Sequence, residues 1–371
     1  MRILHVVEVS TGGVVSVVRS YAAAQQSAGH DVHLLVPEEF GEAAGVRHVW
    51  WPQRRTPYRW PAAVSRFHEV VSATSPDVVH LQSFFPGLLG RLRRPDFDGV
   101  VVYQPHSWAF DAVPRPARPL VEAWERTASS KQDLLMVNCE DERLEGLAHG
   151  VSGPTVSVGV PIDTTYFTPG DPDPELLVAA GIPPGPVITC VGRISRQKAQ
   201  DLLVAAWERA PLPGATLVLL GGGDTAELER LAPTTWGSSI RSVGATTDVR
   251  AWLRSSRVLV MPSRYEGQSV AMGEALACGR PVFATKVNGA TEAIVDGPEG
   301  PAGAVVDVGA VGELLRSVAR SLDDEQATTE MMHAARVRAE RLFAAGAVMQ
   351  RVTDAYAMAQ QLDTMGGGTR A

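Results

Sequence analysis

Two glutamates, Glu266 and Glu274, lie eight positions apart in PSRYEGQSVAMGEALACGRPVFA, where a loop passes into a helix. Between Glu266 and the helix lie Gly267, Gln268 and Ser269, whose backbone N–H groups would point at an anionic ligand. Carboxylates in this position are suited to accept hydrogen bonds from neutral sugar hydroxyls. The alternative is that Glu266 caps the helix and Glu274 lies on a solvated face, but the neighbours of Glu274 in the sequence are largely apolar.

Cationic side chains follow a buried strand in VGRISRQK, where Arg193 and Lys198 are suited to bind a diphosphate. A solvated loop is the alternative, but ligands of parallel sheets bind at the carboxyl ends of strands, which favours the phosphate interpretation. The next strand ends in LLGGGD, whose glycines include Gly221 and Gly222. They permit close backbone approach to a ligand, or they form only a turn.

The first strand of the chain is followed directly by Gly12-Gly13, at the start of a helix. These glycines would let backbone N–H groups approach an anion, or they make a tight turn, because the full G-x-G-x-x-G fingerprint is missing. His106 follows another strand, where a single histidine is more often structural than catalytic. We expect structural roles for three further histidines, which are His5, His80 and His149.

Short apolar runs alternate with longer amphipathic stretches, which predicts parallel sheets with helices on both faces. The pattern restarts after a linker rich in Pro, Gly and Asp, so we predict two α/β domains, over residues 1–164 and 165–345. The segment 346–371 is predicted to be a helix that crosses back to the first domain, with a disordered end. Since ligands bind beyond the carboxyl ends of strands, two such domains would form a cleft.

Composition restricts the class of protein. A net charge of −7 argues against a general nucleic-acid binder, and a hydrophobic fraction of 45% excludes wholesale disorder. Three widely spaced cysteines suggest buried thiols in a reducing compartment, so we predict a cytoplasmic location. MRILHVVEV is typical of a first strand rather than a signal peptide, and no apolar run approaches the roughly 20 residues that span a bilayer.

The segment with the two glutamates resembles the E-x7-E motif of the retaining glycosyltransferases of family four, which have the GT-B fold. The resemblance covers nearly the whole chain and is carried, in order, by Gly12-Gly13, PDVVHLQ, YQPHSWAF, GVPIDTTYFTP, VGRISRQK, LLGGGD and the Glu266–Glu274 segment. It implies two Rossmann-like α/β domains that face each other across a cleft. The donor would bind mainly to the second domain and the acceptor to the first.

The family's roles carry over to the matching positions of this chain. The resemblance implies that Glu266 holds donor-sugar hydroxyls, that Glu274 holds the ribose hydroxyls and that His106 binds a hydroxyl of the reacting sugar. The implied catalytic residues are His106, Arg193, Lys198 and Glu266. The implied donor-binding residues are Gly12, Gly13, Gly192, Arg193, Lys198, Gly221, Gly222, Glu266, Gly267, Gln268, Ser269, Val270 and Glu274.

The sequence departs from the family pattern at three places. Ala199 replaces the usual Gly, Gln268 replaces a commoner Phe or Pro, and Asn288-Gly289 replaces Gly-Gly. None of these changes removes a charged group. Gln268 would lie close to the donor sugar and therefore bears on donor specificity.

The segment RHVWWPQRRTPYRW contains four arginines, three tryptophans and no acidic residue. It could bind an anionic acceptor, an aromatic acceptor or a membrane surface, and the alternative is a strand end followed by a solvated loop. Such aromatic residues and arginines could also bind single-stranded nucleic acid, but nothing else in the sequence supports that interpretation. The predicted acceptor-binding residues are Trp50, Trp51, Arg54, Arg55, Tyr58 and Trp108.

We therefore predict transfer of a hexosyl unit from a nucleotide diphosphate sugar, UDP being favoured over GDP, with retention at the anomeric carbon. The acceptor would be a sugar, a lipid-linked sugar or a secondary metabolite. No metal and no cofactor is expected, because the basic pair can neutralise the leaving phosphates. An epimerase or phosphorylase of the same architecture, and a non-catalytic sugar-nucleotide binding module, stay open as alternatives.

Overall fold

The computed structural model describes residues 1–49 and 59–366 of the chain. By its internal contacts the chain divides into two compact units, Met1–Pro161 with Ala345–Ala371, and Ile162–Ala344. Each unit contains one sheet whose neighbouring strands are parallel, with helices between consecutive strands. The predicted fold class, two parallel α/β domains, is confirmed.

The strands of the first unit form a seven-stranded sheet in the order β3-β2-β1-β4-β5-β6-β7. Their bounds are β1 Arg2–Val7, β2 Asp31–Val36, β3 Val46–Val49, β4 Val78–Gln82, β5 Val100–Gln104, β6 Leu134–Val137 and β7 Thr155–Ser157. The sheet order reverses direction at β1, which pairs with β2 on one side and β4 on the other. Such a switch point is where open parallel sheets bind ligands.

The helices of the first unit before the chain passes to the second are α1 Gly13–Ser27, α2 Trp60–Thr74, α3 Phe84–Leu92, α4 Ala109–Ala112, α5 Arg118–Ala128 and α6 Glu140–Ala148. Alternate residues of β1 pack to opposite faces of the sheet. Leu4 packs with Phe67 of α2, whereas Val7 packs with Val18 of α1. Because both faces are covered, strands such as β4 are buried along their whole length.

The second unit has a six-stranded sheet in the order β10-β9-β8-β11-β12-β13. Its strands are β8 Val187–Val191, β9 Thr216–Leu220, β10 Ile240–Gly244, β11 Val258–Met261, β12 Val282–Thr285 and β13 Gly303–Val306. Its helices are α7 Pro174–Ala179, α8 Gln200–Arg209, α9 Ala226–Leu231, α10 Val249–Arg254, α11 Val270–Ala277, α12 Ala290–Ile294, α13 Val311–Asp323 and α14 Glu325–Leu342. The switch point of this sheet is β8, between β9 and β11.

The last helix, α15 Ala345–Gly366, belongs to the first unit and packs against α1 and β5. Its Arg351 Nε donates a hydrogen bond to the Val158 carbonyl at 2.7 Å. Asp324 separates α13 from α14, and its side chain accepts from the Ala327 amide and so caps α14. Among residues 1–49 and 59–366, none of the helices combines the length and apolar character that a bilayer-spanning segment needs.

Candidate functional site

The loop after β8 carries Arg193 and Lys198 and is held by a side chain from the helix that follows. Gln200, the first residue of α8, donates through Nε2 to the carbonyls of Gly192 at 3.1 Å and Arg193 at 3.0 Å. Its Oε1 accepts from the Ser195 amide at 3.3 Å. Gln200 is therefore a scaffold of the candidate phosphate loop that the sequence patterns did not identify.

Glycines allow the β8 and β9 loops to touch through their backbones. A Cβ on Gly221, whose φ is +153°, would lie 2.1 Å from the Gly192 carbonyl oxygen. A Cβ on Gly192, whose φ is +151°, would crowd the Lys198 side chain at 3.0 Å. Ala199 also has a left-handed backbone, with φ of 55°, a conformation that suits Gly better than Ala.

The loop after β11 brings Glu266 to Lys198. Lys198 Nζ donates to Glu266 Oε1 at 2.6 Å, and Ser263 Oγ donates to the same oxygen at 2.7 Å. Gln197 Nε2 reaches Glu266 Oε2 at 3.3 Å. The strands β9, β8 and β11 are neighbours in the sheet. The loop after β8 contacts both the loop after β9 and the loop after β11.

An arginine and an aspartate hold the β8 and β11 loops together. Arg264 donates to both carboxylate oxygens of Asp201 in α8, at 2.9 and 2.6 Å, and to the carbonyl of Arg196 at 2.7 Å. The Arg264 amide also donates to the Gln197 carbonyl at 2.8 Å. A bidentate Arg–carboxylate pair fixes orientation as well as distance, so it constrains where Lys198 meets Glu266.

Helix α11 begins beside Glu266, and Ser269 is its N-terminal flanking residue. Ser269 is 4% exposed, and its Oγ has no hydrogen-bond partner within the described residues. The first-turn amides of a helix have no partner inside the helix, so Val270 and its neighbours can donate to an anion. Gln268 is also buried.

Glu274 lies farther along α11, and burial raises the pKa of its carboxyl to about 7. Burial disfavours the charged form of an acid, so this carboxyl is poised between its protonated and ionised states near neutral pH. By contrast, the Arg193 side chain is exposed and forms no ion pair or side-chain hydrogen bond in the described part of the chain. Arg193 is thus a cation open to an anionic ligand.

In the first unit, Gly12 and Gly13 follow β1 at the switch point of the sheet. Gly12 has φ of 91°, and its carbonyl accepts from the amides of Val15 and Ser16 in the first turn of α1. Both glycines are exposed at this helix start. The position is one where backbone N–H groups can approach an anion.

His106 follows β5 and adopts a left-handed backbone with φ of 61°. Its Nε2 lies 2.6 Å from Oε1 of Gln82, the last residue of the neighbouring strand β4. Burial lowers the pKa of His106 to about 3, so the imidazole is neutral at physiological pH. A neutral imidazole can bind a hydroxyl but carries no charge to stabilise a phosphate.

The structure corrects one predicted acceptor contact. Trp108 has no exposed surface, its Nε1 donates to the Glu142 carbonyl at 2.8 Å, and its ring stacks on Phe110 at 5.4 Å. A side chain enclosed in this way is part of the core of the first unit and presents no surface to an acceptor. The other predicted acceptor residues, Trp50, Trp51, Arg54, Arg55 and Tyr58, lie outside the described residues.

Two family models match the chain. Residues 12–159 match the glycosyl transferase 4-like domain, and residues 185–324 match glycosyl transferases group 1. D-inositol 3-phosphate glycosyltransferase of Mycolicibacterium smegmatis is 31% identical over 270 residues, which cover 68% of this chain and 61% of the relative. The Mycobacterium bovis BCG protein of the same name is 31% identical over 65% of this chain and 54% of its own length. The chain thus spans about half to three-fifths of the curated relatives it matches.

Solved structures with the same fold match nearly the whole chain. Sucrose-phosphate synthase from Thermosynechococcus elongatus has a TM-score of 0.83 at 21% identity, covering 96% of this chain and 98% of that one. Anabaena HepE in complex with UDP-glucose has a TM-score of 0.80 at 18% identity, covering 96% of this chain and all of that one. The predicted GT-B fold class, with its two Rossmann-like domains, is confirmed by these similarities.

Proposed function

We propose that this chain, whose two halves each match a glycosyltransferase family model, transfers a hexosyl unit from a nucleotide diphosphate sugar to a hydroxyl acceptor. The proposal rests on one observation above all. The loops after β8 and β11 bring Lys198 to Glu266, three positions before Ser269, whose buried hydroxyl has no partner among the described residues, and Arg193 lies in the same β8 loop as Lys198. Cations, free helix amides and a carboxylate in one place match the phosphates and sugar hydroxyls of such a donor.

In this mechanism Arg193 and Lys198 stabilise the charge that develops on the departing diphosphate. Positioned cations and helix amides that face a leaving group lower the barrier without reorganising in the transition state. Glu266 would hold hydroxyls of the donor sugar, and Glu274 would accept hydrogen bonds from the ribose. The glycines of the β8 and β9 loops, Gly192, Gly221 and Gly222, would line the donor site.

His106 in the first unit would bind a hydroxyl of the reacting sugar through its neutral imidazole. Gly12 and Gly13 would offer backbone N–H groups to the diphosphate. We favour retention of the anomeric configuration by attack on the same face, assisted by the leaving phosphate, because the sequence offers no obvious carboxylate nucleophile. An NMR assignment of the product's anomeric configuration tests this, and an inverted product would refute it.

UDP is the favoured nucleotide, which agrees with the UDP-glucose bound to HepE, a protein of the same fold. The acceptor class is a sugar, a phosphorylated cyclitol such as that named for the mycobacterial relatives, a lipid-linked sugar or a secondary metabolite. The segment with Trp50, Trp51, Arg54, Arg55 and Tyr58 would bind the acceptor or a membrane surface. We propose a cytoplasmic location, where nucleotide sugars are available.

A donor screen by thermal shift, followed by acceptor assays with the best donor, tests the proposal. A donor at 100 times its Kd stabilises the folded state by about 2.7 kcal/mol, which is a clear shift in Tm. Sugar transfer to an added acceptor is the expected result. Isomerisation of the donor without acceptor, or cleavage by phosphate alone, would instead identify an epimerase or a phosphorylase, and binding without turnover would identify a binding module.

A further inference from the structure

A line of buried polar side chains starts at His106 and crosses the interior of the first unit. His106 Nε2 lies 2.6 Å from Gln82 Oε1, and Gln82 Nε2 lies 3.0 Å from His5 Nδ1. His5 Nε2 lies 2.8 Å from Gln25 Oε1 in α1. The three contacts join His106, which lies two positions after the end of β5, to residues of β4, β1 and α1. Imidazoles and amides alternate along this line.

The line continues into the C-terminal helix. Gln25 Nε2 donates to the Tyr356 hydroxyl at 3.3 Å, and that hydroxyl lies 2.8 Å from His80 Nδ1. His5, His80, Gln82, Gln25 and Tyr356 are each at most 3% exposed. Water therefore does not compete for these groups, and their polar atoms depend on partners within the protein.

Such a line has a direction. An amide offers a donor at one end and an acceptor at the other, and so does a neutral imidazole, so fixing one group fixes all the rest. If hydrogen bonds run from His106 to His80, His106 donates from Nε2 and His80 ends the line with an N–H at Nε2. If they run the opposite way, His80 ends with a lone pair at Nε2.

The far end of the line discriminates between these directions. His80 Nε2 and Gln104 Oε1 are both buried without a hydrogen-bond partner of good geometry among the described residues. The Gln104 amide nitrogen already donates to Asn138 Oδ1 at 2.7 Å, which leaves its oxygen as an acceptor. The side chains of His80 and Gln104 interact, so an N–H on His80 complements that oxygen, whereas a lone pair would place two acceptors together.

We propose that this line holds His106 as the neutral tautomer with its proton on Nε2, and so presents Nδ1 as an acceptor for a substrate hydroxyl. The role of Nδ1 rests on the proposed function. Gln82, His5, Gln25 and Tyr356 are then positioning residues, because they act through His106 rather than on the substrate. Burial lowers the pKa of both His5 and His106, to about 4 and about 3, so neither imidazole gains a charge near neutral pH.

The arrangement couples the two ends of the chain. Tyr356 belongs to α15, which follows the second unit in sequence but is part of the first unit in the structure. The hydroxyl of this one tyrosine is the acceptor for Gln25 and the donor for His80. Without that hydroxyl the Gln25 amide can rotate by half a turn and exchange its donor and acceptor. The hydrogen bonds of His5, Gln82 and finally His106 are then no longer fixed in one direction.

The tautomer can be measured on the full chain labelled with ring-15N histidine. Two-bond couplings between the ring hydrogens and nitrogens show which nitrogen carries the proton, and His106→Gln assigns the signal among the nine histidines. The expected result is a proton on Nε2 of His106 in the unaltered protein. A proton on Nδ1, or a charged ring at pH 7, would overturn the proposal without recourse to any variant.

Tyr356→Phe tests the transmission along the line, with Tyr103→Phe as the matched control. Tyr103 is also fully buried in the first unit, but its hydroxyl bonds to Glu125 Oε1 at 3.2 Å, outside the line. We expect Tyr356→Phe to raise the Nδ1–H fraction of His106 severalfold and Tyr103→Phe to leave it unchanged. Gln25→Met serves as a second variant if Tyr356→Phe does not fold, and an unchanged tautomer in the folded variant would refute the coupling.

Turnover separates this proposal from the function it rests on. If both hold, Tyr356→Phe lowers kcat by about tenfold with little change in the KM for the donor. The tautomer measurement uses no substrate, so a protein that shows the coupling but transfers no sugar would refute the proposed function alone. A protein that transfers sugar equally well with and without the Tyr356 hydroxyl would refute the positioning role alone.

Discussion

Lys198 Nζ and Glu266 Oε1 lie 2.6 Å apart, in an ion pair whose side chains are 21% and 7% exposed. The two groups are proposed to bind different parts of one donor, the phosphates and the sugar. In the structure each compensates the charge of the other, and Ser263 also donates to Glu266. A donor must therefore exchange this ion pair for its own hydrogen bonds, which makes the pair a determinant of both affinity and stability.

Lys198→Ala is expected to lower kcat/KM by one to several orders of magnitude, each tenfold loss corresponding to about 1.4 kcal/mol of transition-state stabilisation. The variant also leaves the Glu266 carboxylate buried without its cation, which should cost about 1–3 kcal/mol of unfolding free energy. Kinetics and chemical denaturation measure the two effects. Adding Glu266→Gln should recover stability but not activity.

The control for this experiment is Arg196→Ala, which removes an exposed cation two positions from Lys198. We expect near-normal turnover from it, because in the described part of the chain Arg196 contributes its backbone carbonyl to Arg264 and no side-chain hydrogen bond. Near-normal turnover of Lys198→Ala would contradict the assignment of the phosphate-binding lysine.

Glu274→Gln should change how stability depends on pH. The folded pKa of Glu274 is about 7, above its ordinary value of 4.5, so between these pH values the folded protein keeps a proton that the unfolded chain releases. The unaltered protein therefore loses stability as pH rises through that window, by up to ~3 kcal/mol, and the variant lacks this loss. Urea unfolding at pH 5 and pH 8 measures the difference, and Glu227→Gln, at an exposed position, is the control. Identical pH profiles for Glu274→Gln and the unaltered protein would contradict the prediction.

Arg264→Lys should weaken catalysis although Arg264 need not touch the donor. Lysine keeps the charge but cannot make the bidentate contact with Asp201, so the β8 and β11 loops lose their fixed alignment. We expect kcat/KM to fall by about tenfold. Asp201→Asn and the double variant complete a double-mutant cycle, in which additive losses would show that the two side chains act independently.

Trp108→Phe separates a core role from an acceptor-binding role. The substitution removes the hydrogen bond to the Glu142 carbonyl and leaves unfilled volume, which should lower the unfolding free energy by about 1–3 kcal/mol. The KM for the acceptor should not change, because the side chain is fully buried. A raised acceptor KM with unchanged stability would restore the acceptor role.

Metal independence is tested by removing metal ions. Arg193 and Lys198 supply positive charge for the leaving phosphates, so we expect full activity after exhaustive chelation with EDTA. Complete loss that manganese or magnesium restores would contradict this expectation and would assign the neutralisation of the diphosphate to a divalent ion.

The order of strands and helices was largely predictable because hydrophobic periodicity reports burial directly. Strand β1 lies within MRILHVVEV, the segment predicted as a first strand, because its apolar residues are buried in the sheet. The strands β3 and β7 lie at the sheet edges and contain no buried residue, so the apolar pattern of the sequence gives little indication of them. An edge strand pairs through its backbone, which leaves little trace in side-chain pattern.

The candidate site was predictable only in part. Lys198 and Glu266 are visible as charged residues after apolar strands, and their segments follow β8 and β11, which are neighbours in the sheet. Gln200, Arg264 and Asp201 were not identified because their importance lies in what they contact, not in their type. Trp108 was assigned to an acceptor because an aromatic residue near a strand end looks the same in sequence whether it faces solvent or core.

The sequence by itself therefore determined two parallel α/β domains, the family resemblance and the charged residues of the donor site, because local apolar pattern and residue type carry that information. The tertiary structure alone decided the Lys198–Glu266 pair, the clamp between Arg264 and Asp201, and the line from His106 to Tyr356. These depend on residues far apart in the chain, such as Arg264 with Asp201, 63 positions apart, and Gln25 with Tyr356, 331 positions apart. Only the packing of strands and helices brings such distant side chains within hydrogen-bonding distance.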